Sequence, residues 1–80
     1  MYFVYVLRSE VDGRLYKGLT QDIENRLREH NSGKMKSTKG YIPWVLVYQE
    51  KIETRVEARK REKYLKSGVG REFLKKYLNT

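Results

Sequence analysis

Short apolar runs alternate with segments of helical periodicity along this chain. The run from Tyr2 to Leu7 is rich in residues that favour strands, and it predicts a buried strand. An Asp-Gly pair at positions 12–13 is typical of a hairpin turn, so residues 15–19 are expected to return as a second, antiparallel strand. A third strand is predicted from Trp44 to Tyr48, directly after Pro43.

The first helix is predicted between the second and third strands. Thr20 or Asp22 can cap its start, and residues 31–33 carry the Asn-Ser-Gly chemistry that ends helices. Residues 34–40 follow as a basic loop without periodicity, which we expect to be mobile.

Two further helices are predicted after the third strand. Thr54 caps one that runs from residue 55 to residue 66, and residues 67–70, which include two glycines, are expected to end it. The last helix spans residues 71–78, with an apolar face at Phe73, Leu74, Tyr77 and Leu78. The buried stripe of the longer helix is expected at Val56, Ala58, Glu62 and Leu65.

The resulting order, β-β-α-β-α-α, predicts an α+β fold in which helices cover a small sheet. A chain of 80 residues is enough for one domain, which we place at residues 1–80. The core of such a small domain must be thin, so a large enclosed ligand cavity is not expected.

The composition adds a strong basic charge to this picture. The chain has 18 Lys and Arg residues against 10 Asp and Glu residues, a formal net charge of +8. A positive charge of this size is typical of domains that bind nucleic acids, although a well-solvated basic surface is the simpler alternative.

The chain has no cysteine and a single histidine. This excludes disulfides and cysteine-based zinc sites, and it disfavours a histidine-rich zinc enzyme. The absence of cysteine fits the cytosol. The apolar N-terminal run ends at Arg8, which fits neither a signal peptide nor a membrane span. We therefore expect a cytoplasmic protein with no membrane partner.

Five polar side chains are candidate catalytic groups. Tyr5 and Tyr16 lie on paired strands and share a face if the turn between them is short. Arg26 and His30 are four residues apart, hence on one helical face, and Glu62 lies among cations that could hold a phosphate backbone. Each also has an ordinary structural explanation, as a core aromatic, a solvated helix face or an ion pair.

The ordered series of these residues resembles the GIY-YIG nucleases. Phe3-Val4-Tyr5 and Tyr16-Lys17-Gly18 correspond to the two tripeptides that name the family, and the similarity continues through Thr20, residues 26–31 and Arg61-Glu62-Lys63. The chain looks like the small stand-alone bacterial members of the excinuclease-subunit-C type. The resemblance implies a three-stranded antiparallel sheet flanked by helices.

The resemblance also implies a role for each candidate in phosphodiester cleavage. Tyr16 would activate the attacking water, and Tyr5 would support it by hydrogen bonding. Arg26 would hold and neutralise the scissile phosphate, while His30 would help to activate or orient the nucleophile. Glu62 would be the single carboxylate that binds one Mg²⁺ or Mn²⁺ ion, which is chemically sufficient because Mg²⁺ keeps most of its waters.

The chain departs from the family pattern at four points. Lys17 replaces the apolar middle residue of the second tripeptide, and the downstream Asn that contacts phosphate in larger members has no clear counterpart. Phe3 stands where the family name has glycine, and Leu19 stands where some members carry a catalytic lysine. That lysine's role must be absent here or taken by a loop residue such as Lys39.

The expected partner is a nucleic acid, DNA in particular, bound by its structure rather than by its sequence, with no small-molecule cofactor. Tyr41 and Trp44 could stack on unpaired bases or simply pad the sheet edge. Two alternatives stay open: a nucleic-acid-binding domain with little or no activity, and a protein-interaction module with an acidic partner. The phosphate-binding residues are expected to be Lys34, Lys36, Lys39, Lys60, Lys63 and Lys66.

Overall fold

The computed structural model describes residues 1–78, which form three strands and three α-helices in the predicted order β-β-α-β-α-α. The predicted end of the domain at residue 80 lies outside the described residues. A short 3₁₀ helix, Lys39–Tyr41, precedes the third strand. The main elements are β1 (Tyr2–Ser9), β2 (Leu15–Thr20), α1 (Ile23–Asn31), β3 (Trp44–Ile52), α2 (Arg55–Lys66) and α3 (Gly68–Leu78).

The three strands form one antiparallel sheet in the order β2-β1-β3, with β1 in the centre. The predicted hairpin between β1 and β2 is confirmed. Gly13 adopts a positive φ of 78° in its turn, a conformation that favours glycine. The Asp12 carboxylate holds this turn by accepting a hydrogen bond from the backbone N–H of Arg14 at 3.1 Å.

Side chains of β1 alternate between two different layers, as the period of a strand requires. We call the side that faces α2 and α3 the aliphatic face; its fully buried residues are Val4, Val6, Ala58, Leu65 and Leu74. We call the side that faces α1 the aromatic face; its buried residues are Tyr5, Leu7 and Trp44. The predicted α+β fold, a three-stranded antiparallel sheet flanked by helices, is confirmed.

The predicted caps of the first two helices are confirmed. The Asp22 carboxylate accepts a hydrogen bond from Asn25 N at 3.1 Å, and Thr54 Oγ1 accepts one from Glu57 N at 3.2 Å. Each cap satisfies a backbone donor that has no partner within its helix. Within residues 1–78, no helix is both long and apolar enough to cross a bilayer.

The prediction that residues 67–70 form a helix break is wrong, because α3 already begins at Gly68. The interruption is confined to Ser67, whose hydroxyl accepts a hydrogen bond from Gly70 N at 3.2 Å and so caps α3. Gly70 serves close packing: a Cβ built there would lie 1.9 Å from the carbonyl oxygen of Tyr64. The glycine permits the tight contact between α2 and α3.

The predicted buried stripe of α2 is correct at Ala58, Glu62 and Leu65 but wrong at Val56. Ala58 and Leu65 are fully buried, whereas Val56 is 65% exposed. Successive helical residues are rotated by about 100°, so Val56 points almost opposite to Ala58, two residues later. The stripe therefore follows the spacing i, i+4, i+7 from Ala58.

Thr38 anchors the basic segment between α1 and β3 to the core. Thr38 is fully buried and lies beneath exposed lysines of the same segment. A second anchor lies at the end of α1, where the Asn31 amide donates to the carbonyl oxygen of Trp44 and accepts from Trp44 N, at 3.0 and 2.7 Å. These bonds fix α1 against the start of β3.

Candidate active site

Tyr5 and Tyr16 share the aromatic face, as the strand pattern predicts. Tyr5 lies opposite Gly18 in the pairing of β1 with β2, and Leu7 lies opposite Tyr16. The two tyrosines are therefore diagonal neighbours on one face, with ring centroids 6.4 Å apart. Both rings line the same cleft.

Gly18 makes room for the Tyr5 ring. A Cβ at position 18 would lie 2.4 Å from both Cζ and the hydroxyl oxygen of Tyr5, which is closer than real carbon atoms approach. The Tyr5 phenol therefore crosses directly over the backbone of β2 toward the cleft. The glycine of the second tripeptide is required by this crossing.

His30 lies beneath the phenols and is fully buried. Its Nε2 is 3.0 Å from the Tyr5 hydroxyl, and its Nδ1 is 3.0 Å from Thr38 Oγ1. The Thr38 hydroxyl donates to the carbonyl oxygen of Met35 at 3.5 Å, so its oxygen accepts from Nδ1–H of His30. That assignment leaves Nε2 to accept from the Tyr5 hydroxyl. We call this series from Tyr5 to Met35 the buried relay.

The buried relay keeps both of its titratable groups neutral near pH 7. Burial raises the pKa of Tyr5 to about 12. Burial, together with the nearby charge of Arg26, lowers the pKa of His30 below its ordinary value. A neutral imidazole can accept from one hydroxyl and donate to another, which is the arrangement that the distances indicate.

Arg26 extends from α1 into the cleft and has hydrogen-bonding capacity to spare. Its Nη1 donates to the carboxylate of Glu29 at 3.1 Å, one turn along the helix. The guanidinium also interacts with the Tyr5 hydroxyl, which raises the pKa of Arg26, but its buried Nε has no hydrogen-bond partner among residues 1–78. An unpaired, buried, charged N–H at a cleft is a suitable donor for an anionic ligand.

Glu62 enters the cleft from α2, as its place on the buried stripe predicts. Its side chain is only 16% exposed and forms an ion pair with Lys66 at 3.4 Å, four residues later. Glu62 therefore forms the ion pair expected of a surface glutamate on a basic helix, and it also lines the cleft as predicted. It contributes the sole carboxylate among the lining residues that the structure describes.

The cleft has a volume of about 410 Å³ and is open to solvent. It brings together Tyr5, Tyr16, Arg26 and Glu62, whereas His30 lies behind Tyr5 and reaches the cleft only through that phenol. Arg55 and Arg59 also line the cleft, although nothing in the sequence distinguishes them from the other cations of α2. The remaining lining residues are Tyr2, Gly18, Leu19, Thr20 and Gln21.

The six lysines predicted to bind phosphates are all exposed, but they do not line this cleft. Lys60 and Lys63 line a separate shallow surface with Arg55, Val56 and Arg59. Lys66 reaches the cleft indirectly through its ion pair with Glu62. Lys34, Lys36 and Lys39 belong to the segment that Thr38 anchors. Their binding role stays a prediction.

Trp44 cannot stack on an unpaired base, so of its two expected roles, base stacking and packing at the sheet edge, the first is wrong. It is 3% exposed, and its Nε1–H donates to the carbonyl oxygen of Thr38 at 2.9 Å. Its ring packs edge-on against Tyr16, with centroids 6.2 Å apart. Tyr41 is half-buried and carries the Arg14 guanidinium 3.6 Å from its ring centroid. Trp44 therefore supports the cleft from within the core.

The donor set of the cleft suits one hard divalent cation. Within residues 1–78, no cluster of three or more His, Cys, Asp or Glu side chains could enclose a metal ion. One carboxylate beside phenol oxygens fits Mg²⁺ or Mn²⁺, because such ions take oxygen ligands and retain several waters. The three arginines in the same cleft, Arg26, Arg55 and Arg59, can bind an anion such as a phosphodiester.

Comparisons with known proteins show which proteins this chain is similar to. A family model described as the GIY-YIG catalytic domain matches residues 1–77. A UPF0213 protein of Staphylococcus saprophyticus is 41% identical over 75 residues, covering 92% of this chain and 90% of that protein. A UPF0213 protein of Staphylococcus epidermidis is 43% identical with the same coverage. The solution NMR structure of the UPF0213 protein BH0048 of Bacillus halodurans superposes with a TM-score of 0.58 at 34% identity, covering 96% of this chain and 85% of that chain.

Proposed function

Since the chain belongs to the GIY-YIG family, we propose that it hydrolyses phosphodiester bonds of DNA with one divalent metal ion. We also propose that it selects its substrate by structure rather than by sequence. The observation that carries the proposal is the meeting of two phenols, three guanidinium groups and one carboxylate in a single cleft. These are the groups that bind a phosphate, a nucleophilic water and a cation.

The arginines bind the scissile phosphate in this proposal. Negative charge develops on the phosphoryl oxygens as the bond breaks, and fixed donors that face those oxygens stabilise it. Arg26 supplies the unpaired Nε–H, and Arg55 and Arg59 add charge from α2. Since α1 and α2 hold these groups from different sides of the cleft, the phosphate is clamped between two helices.

The two phenols have different tasks. Tyr5, with a pKa raised to about 12 by burial, stays protonated and uses its proton to bond His30. Tyr16 is therefore the phenol we assign to the attacking water. In its deprotonated form, which the arginines of the cleft would stabilise, it binds that water and takes its proton, and so becomes the neutral phenol. The water oxygen forms the new bond to phosphorus as the bond to the leaving sugar oxygen breaks. His30 acts as a positioning residue, because it meets the cleft only through Tyr5.

Glu62 would hold the divalent ion. When bound, the ion lowers the charge of the phosphate and assists the departure of the leaving oxygen. The ammonium group of Lys66 balances the charge of the Glu62 carboxylate when no metal ion is bound. Because the Lys66 side chain is 56% exposed, it can turn away into solvent when an ion binds. An i,i+4 ion pair on a helix surface contributes about 0.3–0.5 kcal/mol. Because the Lys66 end of this pair is largely in solvent, a cation can replace it.

The decisive experiment is cleavage of a panel of flaps, junctions, nicked duplexes and single strands, with Mg²⁺ or Mn²⁺ against EDTA. We expect metal-dependent nicking with a preference for branched substrates. Glu62→Gln should abolish nicking while leaving the fold intact and DNA binding in EDTA equal or slightly tighter, because one negative charge is removed. Wild-type nicking rates in Glu62→Gln would contradict the one-metal mechanism.

Arg26→Ala tests the phosphate clamp. Loss of one transition-state donor typically lowers the rate by about 10²–10³. Arg28→Ala is the matched control, because Arg28 lies on the same helix, is exposed and does not line the cleft. Cleavage at the wild-type rate by Arg26→Ala, as expected for Arg28→Ala, would show that Arg26 is only a surface residue.

The second candidate function is a DNA-binding domain without activity, and the ion pair between Glu62 and Lys66 is the observation that favours it. In that case Lys66 permanently occupies the carboxylate. The variant Lys66→Gln distinguishes the two functions. Because it frees the Glu62 carboxylate, this variant should nick DNA at the wild-type rate or faster if the protein is an active enzyme. Binding without nicking by any metal and substrate of the panel, in both wild type and Lys66→Gln, would establish the binding domain.

A further inference from the structure

A second basic depression lies on the other side of β2, away from the cleft. It has a volume of about 450 Å³ and is formed by β1, the hairpin turn, β2 and α3. We call it the β2–α3 groove. Five cations and no acidic side chain line it among the described residues. Its lining consists of Arg8, Gly13, Arg14, Leu15, Lys17, Arg71, Lys75 and Leu78.

Most of the charge in the β2–α3 groove is not balanced. Arg14 pairs with Asp12 at 2.8 Å. Arg8, Lys17, Arg71 and Lys75 form no salt bridge with any residue in the range 1–78. Partial burial, followed by the charges of Arg71 and Lys66, lowers the pKa of Lys17. Folding alone gains nothing from gathering like charges, so this arrangement indicates an anionic ligand.

The groove and the cleft are separated by a single strand. Tyr16 and Gly18 line the cleft, whereas Leu15 and Lys17, which alternate with them along β2, line the groove. Because β2 is an edge strand, one polyanion that passes over its free edge can contact both sites. Nucleic acid fits this arrangement, since its backbone carries a negative charge every 3.4 Å or so along each strand.

We propose that the β2–α3 groove binds the phosphate backbone of a nucleic-acid strand outside the scissile site. The cations contact successive phosphates, and Leu15 and Leu78 provide an apolar surface for the sugars. This inference rests on the proposed function for the identity of the ligand. The proposal assigns these additional contacts with the nucleic-acid backbone to Arg8, Lys17, Arg71 and Lys75. They replace the contacts expected from the lysines of the segment between α1 and β3.

The test compares two variants of equal charge in the full chain. Lys17→Gln/Lys75→Gln removes two groove cations, and Lys51→Gln/Lys76→Gln removes two exposed lysines that line neither site. Binding of a fluorescent flap oligonucleotide is followed in EDTA over a series of salt concentrations. The groove variant should reduce the slope of log K against log salt by about 2 and weaken binding roughly 10- to 100-fold at 0.1 M salt. The control variant should change the slope by less than about 1.

Cleavage separates a binding groove from a catalytic residue. The groove variant should raise KM and leave kcat near the wild-type value, because its side chains do not touch the scissile phosphate. Its melting temperature should be equal or higher, because repulsion around Lys17 is relieved. If the double variant does not fold, the single variant Lys75→Gln, at an exposed position, should still reduce the slope by about 1.

Several results would overturn the inference. Equal losses in the groove and control variants would mean that net charge alone acts at a distance. Loss of polyglutamate binding without loss of oligonucleotide binding would assign the groove to an acidic protein. Inorganic phosphate that binds as tightly as the oligonucleotide would assign it to a small anion. If the wild type cleaves and the groove variant behaves as wild type, only the proposal for the β2–α3 groove is disproved. If the wild type neither binds nor cleaves nucleic acid, the proposed function is disproved as well.

Discussion

The aliphatic and aromatic faces are built on alternate residues of the same central strand, yet they are held by different forces. Val4 and Val6 pack against Leu65 and Leu74 with no polar atom to satisfy. One residue along, Tyr5 enters a series of hydrogen bonds that runs through buried His30. Apolar packing tolerates many side chains of similar volume, whereas the buried relay needs each partner in place.

The difference implies that stability and activity can be damaged separately. Substitutions on the aliphatic face should lower the free energy of unfolding while the folded molecules remain active. Substitutions on the aromatic face should disturb the cleft even where they cost less stability. The following changes test this division, beginning with the largest expected effect.

Leu65→Ala should destabilise the protein by about 2–5 kcal/mol, since it leaves a cavity in the aliphatic face. The folded fraction should nick at the wild-type rate. Urea unfolding measures the first quantity, and single-turnover cleavage measures the second. Val56→Ala on the same helix is the control and should change stability by less than about 0.5 kcal/mol, because Val56 is exposed. If folded Leu65→Ala loses as much cleavage activity as Arg26→Ala, stability and activity do not depend on separate faces of the sheet.

Gly18→Ala should cost about 1–3 kcal/mol, because the new methyl group would overlap the Tyr5 ring. The displaced phenol should also lower the cleavage rate. Gly40→Ala is the matched control, as a Cβ there meets nothing within 4 Å. Both effects can be measured by thermal unfolding and nicking. Normal activity in Gly18→Ala would show that the position of the Tyr5 ring is not critical.

Thr38→Val should cost roughly 1–3 kcal/mol, because it leaves His30 Nδ1 buried without an acceptor. Thr38→Ser keeps the hydroxyl and should restore most of the stability and the activity. Denaturant titration and the chemical shifts of the His30 ring nitrogens would report the change. Wild-type stability in Thr38→Val together with a loss in Thr38→Ser would mean that Thr38 acts through its methyl group.

The smallest effect is a dependence of stability on pH. Burial lowers the pKa of His30, so below its ordinary value of about 6.5 the unfolded chain takes up a proton that the folded chain refuses. The contribution of neutral His30 to the free energy of unfolding is therefore complete above about pH 6.5, and it declines as the pH falls below that value. His30→Asn should flatten this part of the stability curve. An unchanged curve in that variant would assign the dependence to other groups.

The sequence predicted the parts of the site that depend on local periodicity. Strand alternation placed Tyr5 and Tyr16 on one face, and helical spacing brought Glu62 onto the buried stripe with Leu65. Val56 was assigned to that stripe for its hydrophobicity, although its angle around the helix points outward. The early start of α3 was missed, because Gly70 signals a helix break unless the contact with Tyr64 is known.

Other parts of the site depend on long-range contacts that leave no local signal. Thr38 is a small polar residue in a basic segment, and nothing near it in the sequence indicates that it meets His30. Arg55 and Arg59 look like the other cations of α2, and only the packing of α2 beside β2 brings them to the cleft. The β2–α3 groove combines residues from both ends of the chain, so periodicity could not reveal it.

The central place of β1 has a consequence for protein synthesis. β1 leaves the ribosome before either of its neighbours exists, and its pairing with β3 is complete only once residue 52 has been made. Val4 and Val6 must wait longer still for the helices that cover them. Once β2 has been made it can pair with β1, but the other edge of this apolar strand stays open until β3 has been made, and an unpaired strand edge is a site where chains can associate wrongly.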